Sequence, residues 1–194
     1  ALVQSNADLE RVRFITLPYN DTWLRDSGPI SLRNADGFEL LDFHFTAWGG
    51  KFEAGLDDRI VSEMDAQGLF RNAEHKRIDF ALEGGGIETD GAGTLLSTWH
   101  CLHERHPEKS RADIEDILKK HLRQDRVLWL EHGYLEGDDT DAHIDTLARF
   151  ASESAIVYQG CDDPQDSHYP ELQAMAAELA KLLTAAGKPY TLHA

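Results

Sequence analysis

Four polar residues of this chain have the side chains needed for proton transfer and for holding a cation, and they lie in three separate polar segments. They are Asp26, Glu83, His143 and Asp145. Two carboxylates facing each other across a pocket suit a planar guanidinium, whose N–H groups donate paired, charge-assisted hydrogen bonds. A histidine beside a carboxylate transfers protons near neutral pH. These residue types indicate a site that processes an organic cation.

Taken singly, each of these residues also has an ordinary structural interpretation. Asp26 could pair with the adjacent Arg25, and Glu83 could end a turn, because isolated carboxylates are most often solvated or paired at the surface. The glycine run at 84–86 lacks the lysine of a phosphate-binding loop and the spacing of a dinucleotide fingerprint. It predicts a flexible turn. Trp23 is interpreted either as part of the core or as an apolar wall for a substrate's methylene chain.

Two metal hypotheses arise from the histidines and acidic residues. The steps between His100, Cys101, His103 and His106 match no standard zinc pattern, so we interpret that segment as a surface loop ending at Pro107. A divalent-metal hydrolase remains an alternative, because oxygen and imidazole donors recur along the third polar loop. Its candidate ligands are Asp139, Asp141, His143 and Asp145.

Composition excludes several classes of protein. The chain has 194 residues, 41% of them hydrophobic and 28% charged, which is typical of a globular protein. Its formal charge of −16 disfavours nucleic acid and attracts cations. Apolar runs are too short to span a bilayer. Cys101 and Cys161 are too few for a disulfide framework, which favours a reducing compartment and predicts a cytoplasmic protein.

Strand and helix patterns alternate along the chain. An Asp-Gly turn at 36–37 predicts a hairpin of residues 30–32 and 38–45, and Ser110 with Asp113 predicts the start of a capped helix. Further strands are predicted at residues 11–15, 76–82, 95–99, 127–130 and 155–158, and further helices at 57–70 and from Pro170 to Gly187. Residues 189–194 read as the start of another strand, which predicts a truncated chain.

The polar loops recur at similar intervals. From Asp26 to Glu83 is 57 positions, and from Glu83 to His143 is 60. Such a period predicts similar supersecondary modules arranged around an axis, each presenting one polar loop.

Four motifs, in order over residues 20–150, resemble the agmatine deiminase family. They are Asn-Asp-Thr-Trp-Leu-Arg-Asp-Ser-Gly-Pro at 20–29, Trp-Gly-Gly-Lys at 48–51, Glu-Gly-Gly-Gly-Ile at 83–87 with Asp-Gly-Ala-Gly-Thr at 90–94, and Gly-Asp-Asp-Thr-Asp-Ala-His-Ile-Asp at 137–145. That family is related to bacterial peptidylarginine deiminases. The resemblance implies an α/β fold of the pentein type, a five-module α/β-propeller, with about three modules in this chain. Residues 1–194 are then expected to be a partial catalytic domain.

The resemblance also implies a reaction. A thiolate attacks the guanidinium carbon, ammonia leaves, and water hydrolyses the covalent intermediate; agmatine would give N-carbamoylputrescine, a precursor in putrescine and polyamine biosynthesis. By resemblance Asp26 and Asp145 grip the guanidinium, and His143 is the general acid and then the base. Glu83 orients His143 and binds substrate, and Trp23 lines the channel. No metal or organic cofactor is expected.

One departure from the family concerns the nucleophile. The family's cysteine lies in a Gly-rich segment of the fifth module, and neither Cys101 nor Cys161 matches it. We therefore expect the nucleophile outside this chain, and the chain alone to bind weakly and not turn over. The expected partner is a small cationic guanidino compound, with no nucleic acid, no membrane and a possible homo-oligomer.

Agmatine suits an acidic site better than arginine does. Arginine carries a carboxylate at the end far from the guanidinium, and no pair of arginine or lysine residues is evident to bind it. Free arginine, peptidyl-arginine and a non-catalytic acidic binding module remain alternatives.

Overall fold

Three small sheets in the described part of the chain share one topology. The computed structural model of the chain describes residues 8–35 and 37–194. In this part of the chain each sheet has three strands, of which the first two pair antiparallel and the third pairs parallel with the second. The repeated arrangement agrees with the modules that the spacing of the polar loops predicts.

The strands are numbered in chain order. The first sheet contains β1 (Ile30–Asn34), β2 (Gly37–His44) and β3 (Ala73–Ala81). The second contains β4 (Glu88–Thr89), β5 (Thr94–Thr98) and β6 (Arg126–Leu130). The third contains β7 (Ala148–Ser152), β8 (Ala155–Tyr158) and β9 (Thr191–His193).

Helices supply the crossovers that parallel strand pairs need. The helices are α1 (Leu24–Ser27), α2 (Ala47–Gly50), α3 (Ile60–Ala66), α4 (Trp99–Arg105), α5 (Arg111–Leu122), α6 (Ile144–Leu147) and α7 (Tyr169–Leu179). Short 3₁₀ turns cover Leu9–Arg11, Asp57–Arg59 and Gly84–Gly86. Helix α3 connects β2 to β3, α4 and α5 connect β5 to β6, and α7 connects β8 to β9. No helix within the described ranges is long and apolar enough to cross a bilayer.

Strand β5 lies between two hydrophobic cores. Its residues Leu95 and Leu96 belong to different clusters because successive strand side chains point to opposite faces. Leu95 packs in the cluster that includes Ile114 and Leu118 of α5, and Leu96 packs in the cluster that includes Met175 of α7. All five residues of β5 are buried, so the middle sheet anchors its two neighbours.

Several sequence predictions of elements are confirmed. The hairpin joins β1 to β2, although Asp36 of its turn lies outside the described residues. Ser110 accepts a hydrogen bond from the Asp113 amide and Asp113 accepts one from the Ser110 amide, which completes the predicted capping box. Residues 191–193 pair with β8 as the predicted final strand.

Other element predictions are wrong. Residues 12–15 form no strand in the described structure; Phe14 is 82% exposed and its segment has no neighbouring strand to pair with. Helix α7 ends at Leu179, and Gly187 instead occupies a turn with φ of 72° between the bridged residues Leu183 and Pro189.

The segment interpreted as a histidine-rich surface loop is helix α4 with the turn that follows it. It is helical because Cys101 and Leu102 are fully buried in the core, and packing outweighs weak helix propensity. His103 stacks on Trp99, whereas His106 stacks on Phe80. The histidines therefore point to different neighbours, and they are not gathered as zinc ligands.

Candidate active site

Three short turns carry the four candidate residues. Helix α1 contains Asp26, the Gly84–Gly86 turn follows Glu83, and α6 follows His143 and contains Asp145. Each turn directly precedes the first strand of its sheet, and α1 and α6 both pack against the Gly84–Gly86 turn. The repeated topology thus brings equivalent positions of the three units to one place.

His143 lies between two buried carboxylates. Its side chain is 3% exposed; Nδ1 lies 3.7 Å from Oδ1 of Asp26, and Nε2 lies 3.5 Å from Oε2 of Glu83. Nε2 has no hydrogen-bond partner within the described structure. A buried polar nitrogen without a partner is costly, and such atoms often mark functional groups.

Asp26 is held by donors on both oxygens. The Gly85 amide donates to Oδ1 at 2.9 Å, and Nε1 of Trp48 donates to Oδ2 at 3.1 Å. Burial raises the pKa of Asp26, although His143 and these two hydrogen bonds act in the opposite direction. The imidazole and the two hydrogen bonds thus offset part of the cost of burying this carboxylate.

Glu83 is fully buried and bound to Arg105. Nε of Arg105 donates to Oε2 at 3.1 Å and to Oε1 at 3.2 Å. Glu83 is not among the residues that line the adjoining pocket. Its predicted contact with substrate stays a prediction, whereas its place beside His143 is explicit in the geometry.

A pocket of about 430 Å³ opens beside His143. Asp26, His143 and Asp145 line it, and Trp23, Trp48 and Phe52 provide aromatic surface; its other lining residues are Asp21, Arg25, Gly137, Asp138, Asp139, Thr140 and Thr146. The side chain of Asp145 is 20% exposed, and Nε of Arg25 lies 3.8 Å from its Oδ2. The pocket thus combines acidic and aromatic groups around a buried imidazole.

Gly85 allows the acidic groups and the imidazole to approach one another. A Cβ atom at Gly85 would lie 2.5 Å from Nδ1 of His143, 2.7 Å from Oδ1 of Asp26 and 3.0 Å from Oδ2 of Asp145. The glycine run forms the predicted turn, and Gly85 and Gly86 in it are buried and closely packed.

The backbone around Trp48 lies in the left-handed region. Ala47, Trp48, Gly49 and Gly50 have φ values of 47°, 57°, 81° and 84°. Alanine and tryptophan rarely adopt this conformation, and such residues often occur at functional sites. Here it directs the Trp48 indole N–H onto Asp26.

Two consecutive non-glycine residues with positive φ precede His143. They are Asp141 at 61° and Ala142 at 68°. The Ala142 amide donates to Oδ2 of Asp138 at 2.9 Å, and Oγ1 of Thr98 donates to the Ala142 carbonyl at 2.6 Å. Contacts from the middle sheet and from the loop itself therefore hold this strained segment in place.

One group of side chains is close enough to share a metal ion. Within the described ranges, Glu83, Cys101 and His143 place potential ligand atoms within 4.8 Å of one another. The guanidinium of Arg105 bonds to both oxygens of Glu83, and its positive charge opposes a cation there. This arrangement does not favour metal binding.

The four ligands of the metal-hydrolase hypothesis are not gathered into such a group in the described structure. Asp141 instead accepts hydrogen bonds from Lys51 and Arg105, which lower its pKa despite the opposing effect of burial. His143 faces Asp26 and Glu83.

Neither cysteine lines the pocket. Cys101 is fully buried, and burial raises the pKa of its thiol far above the usual value, which disfavours a thiolate. Cys161 is half-buried, and its Sγ lies 3.7 Å from the Asp163 carbonyl.

Comparison with known proteins identifies the family. The model of the Porphyromonas-type peptidyl-arginine deiminases matches residues 1–194. The chain belongs to this family. It is 36% identical over 200 residues to the agmatine deiminase of Pseudomonas fluorescens, covering 98% of this chain and 53% of that protein.

Solved structures of agmatine deiminases have the same fold. A substrate-bound agmatine deiminase from C. jejuni has a TM-score of 0.85 and 39% identity, covering 95% of this chain and 54% of that one. The agmatine deiminase of Enterococcus faecalis has a TM-score of 0.83 and 31% identity, covering 91% and 50%. This family member spans about half the length of the curated relatives it matches.

The site also contains groups to which sequence reasoning assigned no role. Trp48 and Lys51 lie in a motif that carries the family resemblance, but only the structure shows that they bind Asp26 and Asp141. Arg105 lies outside all four motifs and is 22 positions from its partner Glu83. No local pattern indicates that pairing.

The close packing at Gly85 predicts a position-specific cost of adding a methyl group. Gly85→Ala should lower the free energy of unfolding by about 1–3 kcal/mol because the new Cβ overlaps His143 and Asp26. Gly55→Ala is the matched control, since a Cβ there meets nothing within 4 Å. Urea unfolding of both variants measures the difference, and equal stabilities would contradict the packing described here.

The raised pKa of Asp26 predicts a pH-dependent difference between the natural chain and Asp26→Asn. Below the ordinary aspartate pKa the carboxyl is protonated whether the chain is folded or unfolded. No charge is then buried, and the free energy of unfolding carries no penalty for one. As the pH rises through the raised folded pKa, the natural chain loses stability relative to the variant. The difference in melting temperature between the two chains should therefore widen from acidic to neutral pH. A constant difference would show that folding does not raise the pKa of Asp26.

Proposed function

We propose that the protein containing these residues hydrolyses the guanidinium group of agmatine, giving N-carbamoylputrescine and ammonia. The observation that carries this proposal is the convergence of Asp26, His143 and Asp145 on one pocket, with Glu83 behind the imidazole. Membership of the deiminase family and the names of its agmatine deiminase relatives support the same chemistry.

The pocket suits a cation with an apolar chain. We propose that Asp26 and Asp145 bind the guanidinium through paired hydrogen bonds, while Trp23 and Trp48 contact the methylene groups. Asp21, Asp138 and Asp139 also line the pocket and favour an ammonium group at the far end of the substrate. The lining includes one basic side chain, Arg25, which lies near Asp145. This charge distribution favours agmatine over substrates that carry a carboxylate.

The proposed reaction uses His143 twice. A cysteine thiolate forms a bond to the guanidinium carbon, and His143 gives a proton to the departing nitrogen, which leaves as ammonia. His143 then takes a proton from water as the water oxygen attacks the same carbon. The carbon–sulfur bond breaks to restore the thiolate, and the remaining hydroxyl proton passes to solvent as the carbonyl group forms. Glu83 orients the imidazole from its buried side.

We propose that the attacking thiol comes from outside residues 1–194. The absence of both cysteines from the pocket lining of the described chain supports this, as does the raised pKa of buried Cys101. We further propose that the three sheet units are three modules of a five-module pentein propeller, which makes residues 1–194 a partial catalytic domain. The common topology of the units and the half-length match to relatives support this arrangement.

The proposal is tested on the full-length gene product that contains these residues. Ammonia release from agmatine, free arginine and peptidyl-arginine is compared before and after exhaustive chelation. We expect hydrolysis of agmatine with the highest kcat/KM, undiminished by the chelator. Preference for either arginine substrate would assign the alternative deiminase activity, restoration by zinc or manganese would establish a metal mechanism, and binding without turnover would indicate a binding module.

Separate variants distinguish proton transfer from substrate binding. His143→Asn should lower kcat by about 10² to 10⁴ with affinity largely retained, because a general acid–base is lost. Asp145→Asn should weaken binding by roughly 2–4 kcal/mol, because a charge-assisted pair with the guanidinium is lost. Calorimetric titration of agmatine, with the nucleophilic thiol removed to prevent turnover, measures both affinities. Equal losses of binding would show that the proposed roles are wrong.

A further inference from the structure

Arg105 links two parts of the candidate site from beneath it. Its side chain, at the end of α4, is fully buried. Nε donates to both oxygens of Glu83, one terminal nitrogen donates to Oδ2 of Asp141 at 2.6 Å, and the other donates to the Thr140 carbonyl at 3.0 Å. One planar cation thus contacts the carboxylate behind His143 and the backbone segment that leads into His143.

We propose that Arg105 is a positioning residue for the hydrolysis: it holds Glu83 beneath the imidazole and clamps the Thr140–Asp141 segment so that His143 faces the pocket. This inference rests on the proposed function. It adds a residue outside the motifs that carry the family resemblance, and it assigns Arg105 no contact with substrate, since Arg105 does not line the pocket.

The strained backbone before His143 explains why such a clamp is needed. Asp141 and Ala142 both have positive φ, and non-glycine residues keep that conformation only when surrounding contacts enforce it. Asp141 is bound from two sides, by Arg105 and by Lys51, whose Nζ lies 2.5 Å from Oδ1. Lys51 also donates to the Asp139 carbonyl at 2.7 Å. These two cations therefore fix both oxygens of Asp141, two residues before His143.

The geometry of these bonds requires arginine rather than a generic positive charge. Three partners lie in different directions, and a guanidinium can donate to all of them at once from fixed positions. A lysine at 105 could neutralise Glu83 or Asp141 but would not reproduce the set. Loss of the cation would leave Glu83 buried and uncompensated beside His143, which favours displacement of both side chains.

The first experiment measures kcat and KM for agmatine in the full-length protein. Arg105→Met should lower kcat by about 100-fold with KM changed little, because small displacements of a proton-transfer group have effects of this size. Arg105→Lys should recover part of the loss.

The matched control is Arg126→Met. Arg126 also donates to three partners, Thr94, Leu183 and Tyr190, but these bonds join the second sheet to the segment between α7 and β9, and none of these residues lines the pocket. Both Met variants should lose thermal stability, and only the Arg105 variant should lose kcat. A normal kcat in folded Arg105→Met, or an equal loss in Arg126→Met, would overturn the proposal.

A double-mutant cycle tests whether Arg105 acts through Glu83. In a Glu83→Gln background the carboxylate charge is already absent, so Arg105→Met should reduce kcat by a much smaller factor than it does in the natural enzyme. Independent contributions would instead multiply. Multiplying losses would exclude the proposed path through Glu83.

Amide hydrogen exchange separates this inference from the proposed function. The amides of Ala142 and His143 donate to Asp138 and Thr140, and release of the clamp should speed their exchange by about tenfold in Arg105→Met but not in Arg126→Met. If the natural protein hydrolyses no guanidino compound, the proposed function fails, while the exchange result still decides whether Arg105 clamps the loop. Unchanged exchange in Arg105→Met would overturn the clamp even in an active enzyme.

Discussion

The rest of the site depends on one constraint, which is that two carboxylates are buried on either side of a buried imidazole. Asp26 and Glu83 lie within 4 Å of the His143 ring nitrogens, and both residues are buried. Burial of an ionised carboxylate is costly unless hydrogen bonds or opposite charge compensate it. Gly85 and Trp48 compensate Asp26, and Arg105 compensates Glu83. The site therefore depends on these donors as much as on the carboxylates that they bind.

These compensating groups come from segments that are far apart in sequence, and the repeated topology explains how they meet. Each sheet unit begins just after a short turn, so three such turns pack at one location. The fully buried strand β5 lies between two hydrophobic cores and holds neighbouring units in register. The rigidity of the site thus derives from the core beneath it, which is the usual arrangement for catalytic groups mounted on loops.

Backbone strain accompanies this precision. Trp48, Asp141 and Ala142 adopt positive φ. Trp48 donates a hydrogen bond to Asp26, Asp141 accepts one from Arg105, and Ala142 directly precedes His143. Together with the raised pKa of Asp26, these features indicate that the fold gives up stability to hold the acidic groups and the imidazole close together. Gly85 contributes to this close approach because it has no Cβ atom, which would overlap His143 and Asp26.

Local patterns determined the hairpin, the capped helix, the spacing of the three modules and the identity of Asp26, Glu83, His143 and Asp145 as candidates. Those features depend on turn chemistry, periodicity and residue type, which are readable along the chain. Tertiary structure alone decided that residues 12–15 are no strand, that α4 is a helix, and that Arg105 binds Glu83. Strand pairing, burial and long-range ion pairs depend on what packs nearby in space, so no local pattern contains them.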